Sequence, residues 1–215
     1  MDTPTLQPTF FEKTKLELQQ ITPRKMLRIQ IGFMLYGLSI NLVVKANFGT
    51  SAWVVLEGAL AKLFSISLGL SVILISILVL LVSYLLRQDF GWGTFLNMIF
   101  IGVWVDITRE IAFVYISPNI YFRIIFFILG VVFMGLATAL YVGVDAGAGP
   151  RDSLMLGVSK KCRISVQKAR TIIEITVVLI GFLLKGPLGI GTLIFALCIG
   201  PSVQFWFKQL HVKGK

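Results

Sequence analysis

The residues best equipped for chemistry follow a single turn, Gly147-Ala148-Gly149-Pro150-Arg151-Asp152. Proline suits the first position of a helix, where its missing N–H costs nothing. Asp152 then falls near the third position, where a carboxylate favours the positive helix end. Unpaired backbone N–H groups at such an end, with Arg151 beside them, make a receptor for an anionic group. A plain turn with Arg151 in solvent and Asp152 capping accounts for the same residues, and the two readings stand level. A dinucleotide fingerprint does not fit, because Asp152 occupies the place of the third glycine and no strand precedes it. A second helix start of this kind follows Lys45-Ala46-Asn47-Phe48-Gly49, with Thr50 or Ser51 as N-cap. The candidate solute-binding residues are therefore Arg151, Asp152, Gly147, Gly149, Ser51 and the intramembrane amide Asn41.

Glu174 is the one acid inside an expected span. It lies four residues after Arg170, so the two share a helix face and can pair. A snorkelling, paired glutamate and a proton- or ion-coupling group both fit, and an intramembrane carboxylate is a functional candidate by default. Asn41, Asn97 and Gln30 are polar groups in apolar runs, a pattern typical of interhelical hydrogen bonds. No nucleophile–base pair is visible, so we expect no enzyme. Cys162 and Cys198 occupy unlike settings and His211 is the single histidine, so neither a metal site nor a cofactor is expected.

These residues sit in a strongly apolar chain. Hydrophobic residues make up 56% of it and charged residues 14%, with mean hydropathy +0.87; soluble domains carry about a quarter charged residues. The runs 68–86, 124–144 and 186–207 contain no charge and exceed the ~18 residues that mark a membrane span. The net charge of +10 sits at span ends, beside an anionic lipid surface rather than a nucleic acid. Residues 1–22 read equally as a surface helix or a solvated tail, and they carry no cleavable signal.

A fixed offset of 98 residues organises the rest. It pairs Gly32 with Gly130, Gly37 with Gly135, Gly49 with Gly147, Leu56 with Leu154, Gly91 with Gly189 and Gly102 with Gly200, without a gap. Spans are expected near 26–44, 68–86, 90–105, 120–144, 169–184 and, after the link 185–189, up to about 206, with short helices at 52–64 and 151–160. The fold class is all-α integral membrane: six transmembrane helices as two inverted three-helix repeats, each with a short non-spanning helix after its first span. The divisions are a tail (1–23), repeat one (24–116), repeat two (117–208) and a second tail (209–215). A unit with an odd number of crossings must invert when repeated. With both termini cytoplasmic, only Lys45, Lys62, Arg109, Arg123 and Lys185 of the 20 Lys and Arg lie outside, as the positive-inside rule requires. An eight-span topology would put Lys160, Lys161 and Arg163 into lipid, at a cost of roughly 2.5–3.5 kcal/mol each at the bilayer centre. The glycines at 32, 37, 130 and 135 mark close helix approach, and Trp53, Trp92, Trp104 and Trp206 read as interface anchors.

The motif GAGPRDSLM, the pair Arg170 and Glu174, and the run Gly186-Pro187-Leu188-Gly189-Ile190-Gly191-Thr192 resemble the YczE/YitT-like family of bacterial membrane proteins. That family's first repeat often reads G-x-x-P-W-(D/T)-V. Here Gly49-Thr50-Ser51-Ala52-Trp53-Val54-Val55 keeps the tryptophan but lacks the proline and the polar residue. The resemblance implies a multi-pass protein of the bacterial plasma membrane and supplies location rather than mechanism. Two functions are carried forward: a transporter-like protein for a small, anionic or amphiphilic solute, and a non-transporting partner that anchors or regulates a membrane complex. The expected partners are the lipid bilayer and either that solute or a membrane protein, with no nucleic acid; homo-oligomerisation is left open.

Overall fold

Capping side chains decide where the helices begin. The computed structural model describes residues 22–88, 90–111, 119–144 and 149–212. Among the described residues there are eight helices: α1 (Pro23–Ala46), α2 (Ala52–Leu63), α3 (Leu68–Leu85), α4 (Trp92–Ile111), α5 (Ile120–Val142), α6 (Pro150–Cys162), α7 (Val166–Leu183) and α8 (Ile190–Gln209). The Thr22, Ser67, Asn119 and Ser165 side chains accept from first-turn backbone N–H groups of α1, α3, α5 and α7. Asn47, in the left-handed region at φ 52°, ends α1. Arg123 then donates to the carbonyls of Ala46 and Asn47 at 2.9 and 2.8 Å. The expected surface helix within 1–22 lies outside the described residues, apart from Thr22.

With 12 and 13 residues, α2 and α6 are about 18 and 20 Å long, short of the ~30 Å apolar thickness of a bilayer. By length and composition, α1, α3, α5 and α8 qualify as membrane spans. Six had been expected. The other two long helices carry charge at one end: Asp106, Arg109 and Glu110 in α4, and Lys168, Arg170 and Glu174 in α7. Helix α4 also runs past its expected end at 105, because Asp106 is satisfied in place. Its carboxylate accepts from the Ser67 hydroxyl and, at 2.9 Å, from the Gly69 backbone N–H at the start of α3.

Glycine lets the long helices meet. A Cβ on Gly32 would stand 3.2 Å from the Ala137 carbonyl oxygen, and one on Gly130 would stand 3.2 Å from that of Ser39. The two contacts are one relation shifted by 98. Residue numbers climb along α1 as they fall along α5, so these helices pack antiparallel. In the same way Gly37 abuts Trp104 while Gly135 abuts Ser202, joining α1 to α4 and α5 to α8. The short helices cross over: α2 lies on α7, and α6 on α3. Symmetry lapses in the packing of α3 on α4. Helix α3 packs along α4 with Gly69 against Gly102, but α7 and α8 form no such pair, and nothing stands near Gly200.

Two of the four tryptophans expected as interface anchors are buried instead. Trp53 and Trp92 are buried, and the indole N–H groups of Trp104 and Trp206 donate at 3.1 Å to the Gln30 side chain and the Val132 carbonyl. Each is turned inward by packing or by a hydrogen-bond partner on a neighbouring helix.

Candidate functional site

Helix α6 begins as its sequence dictates, with Gly149 as N-cap, Pro150 first and Asp152 third. The Asp152 carboxylate accepts from the Gly149 backbone N–H. Arg151 is neither solvated nor free. One of its Nη atoms meets the Glu57 Oε1 atom in an ion pair, the side chains being 18% and 0% exposed. The guanidinium also lies 5.0 Å from the centre of the Trp53 ring, a cation–π contact. Trp53 and Glu57 stand four residues apart on one face of α2, so one helix supplies both the ring and the carboxylate. Burial pushes the Glu57 carboxyl above the ordinary carboxylate range, while the Arg151 charge and hydrogen bond pull it back.

Two buried acceptor or donor atoms here lack a partner among the described residues: Oε2 of Glu57 and Oγ of Ser153. Around the pair, the Tyr36 and Tyr141 rings meet edge to face at 6.4 Å, and Arg151, Asp152, Glu57 and Arg170 all lie within electrostatic reach of Tyr36. Asn97 reaches the N-cap from α4; a Cβ on Gly149 would stand 3.5 Å from its Oδ1. Among the described residues, no three His, Cys, Asp or Glu gather where they could hold a metal ion.

The sequence-derived candidates divide. Arg151, Asp152 and Gly149 belong to this cluster, and Gly147 lies outside the described residues. Asn41 donates to the Val105 carbonyl at 2.7 Å and the Thr108 hydroxyl at 2.9 Å, so its amide is engaged in joining α1 to α4. Ser51 holds the N-cap position of α2, but its hydroxyl makes no capping bond. It faces an apolar crevice with Ile40, Val54, Met134 and Phe195. The neighbouring Thr50 N–H is satisfied instead by the Thr192 hydroxyl at 3.1 Å. Glu174 accepts from Arg170 at 2.9 Å, the i,i+4 pairing its spacing predicts, and is 28% exposed. Sequence reasoning missed Glu57 and the inward role of Trp53. The offset held the signal: 98 residues before Arg151 is Trp53, with Glu57 one turn further on.

Comparison with known proteins places this arrangement in a group. A family model, the family of unknown function DUF6198, matches residues 23–208, which include every helix that builds the cluster. This chain belongs to the DUF6198 family. An uncharacterized protein of Haemophilus influenzae is 39% identical over 184 residues, covering 83% of each chain. The uncharacterized membrane protein YczE of Bacillus subtilis is 34% identical over 176 residues, 81% of this chain and 80% of its own. A third relative, the uncharacterized protein YyaS of Bacillus subtilis, is 28% identical over 185 residues, 84% of this chain and 90% of its own. The YczE-like resemblance read from the sequence is thereby upheld, and with its apolar helices this DUF6198 chain is a membrane protein. No solved structure matches it.

Proposed function

We propose that this protein is a transporter-like carrier of a small solute bearing an anionic group, built from two inverted halves with six spans in the bacterial plasma membrane and both termini cytoplasmic. Helices α4 and α7 are the two further spans, their charged ends at the membrane surface. The antiparallel packing of α1 and α5, and the reciprocal contacts at the 98-residue offset, support inversion. The lengths of α2 and α6 support broken segments that enter without crossing.

One observation carries the reading: Arg151 rests on Trp53, its own counterpart in the other half. A residue can touch its counterpart only on the line about which the two halves exchange. That line is where a carrier with inverted repeats keeps its substrate, against half-helix ends. Arg151 supplies the charge, the start of α6 supplies backbone N–H groups, and Trp53 supplies an aromatic wall.

Proteoliposomes given a bacterial metabolite extract test this. Mass spectrometry should find at least one solute with an anionic group enriched inside vesicles carrying the wild-type protein and not inside those carrying Arg151→Ala. Identical contents in the two preparations would refute carriage through Arg151.

A further inference from the structure

Glu57 is an unexpected neighbour for an anion site. Its carboxylate is completely buried, one oxygen is bound to Arg151, and the other has no partner among the described residues. An acceptor buried and left unmet bears its full desolvation cost, larger still when charged, so a donor belongs there. The surrounding charge points the same way. Among the described residues, Arg151 and Arg170 bring two positive charges within electrostatic reach of the cluster, and Glu57 and Asp152 bring two negative ones. A bare anion entering would upset this balance of buried charge, whereas a solute with no net charge would not.

We infer that the solute is a zwitterion of the α-amino-acid type, its carboxylate held by Arg151 and the α6 N-terminus and its ammonium by the unpartnered Glu57 oxygen. This rests on the carrier reading above and narrows it to one substrate class. In an α-amino acid the two charged groups are attached to the same carbon. The protein offers two opposite charges in direct contact, which matches that short spacing and not the longer one of a zwitterion with distant ends. Arg151 retains N–H donors beyond the one given to Glu57, so the protein pair stays intact while both ends of the ligand are met. The Trp53 ring beside it can pack against a side chain.

The test uses the full chain purified in detergent, with each proteinogenic α-amino acid offered in turn and thermal stability and tryptophan fluorescence recorded. At least one should bind. Its deaminated carboxylic acid and its decarboxylated amine should each bind about tenfold more weakly, the loss expected for one charged hydrogen bond. Glu57→Gln should remove the amino acid's advantage over the matching acid. The analogue series needs only the wild-type protein, so it decides the matter even if the variant fails to fold. Failure of every amino acid to bind, or an acid that binds as tightly as its parent, overturns the inference. Uptake of other anionic solutes through Arg151 in the proteoliposome experiment would then leave the carrier reading standing; no uptake at all would remove both.

Discussion

Two opposite charges taken together out of water recover their cost only while both stay in place. Arg151→Met would strand the fully buried Glu57 carboxylate, and Glu57→Gln would strand the guanidinium. Each should lower stability by about 3 kcal/mol, and replacing both residues together by apolar ones should restore most of it. Thermal denaturation of the three variants in detergent measures this; equal losses in single and double variants would show that the pair does not act as a unit. The sequence made Arg151 conspicuous, because glycine, proline and an acidic third residue announce a helix start around it. Glu57 gave no such announcement. It lies 94 residues away on a short helix that also carries Lys62, with no turn or cap to single it out. Partners brought together by the fold, not by spacing along one helix, were legible only through the 98-residue offset.

Among the helices, close packing by glycine separates the two halves in a measurable way. Gly102 has the Gly69 carbonyl and the Ile73 side chain pressed against it, while its counterpart Gly200 has nothing within 4 Å. Gly102→Ala should therefore cost about 2 kcal/mol by overpacking the contact of α3 with α4. Gly200→Ala should stay within about 0.5 kcal/mol of wild type, as an open surface position does. Comparing the melting temperatures of the two variants checks both. The short helices were legible in length and place, since caps and breakers are local chemistry. The end of α4 was not, because Asp106 reads as the edge of an apolar run until Ser67 and the Gly69 N–H are seen to satisfy it.

For the molecule as a whole, the question is which compartment each loop faces. On a background with Cys162 and Cys198 replaced by serine, a cysteine at position 45 should react with an impermeant thiol reagent in intact cells. One at position 160 should react only after the membrane is opened. Labelling of both under the same condition would overturn the inverted arrangement. The doubling itself was readable at once, because an ungapped offset through glycines needs no three-dimensional information. How the copies face one another was readable only through an odd count of crossings and a bias in basic residues.

The stacking of Arg151 on Trp53 constrains how such a chain can have arisen. Suppose two identical copies had once associated as separate molecules in this geometry. The position on their shared line would then have met itself, and an arginine there would have faced another arginine across a few ångströms unless both copies already carried the acid one turn on. Tryptophan can tolerate its own image; a buried guanidinium can do so only with acids to balance it. On that history, and without those acids, the charged half of the contact entered only after fusion into one gene allowed the copies to diverge.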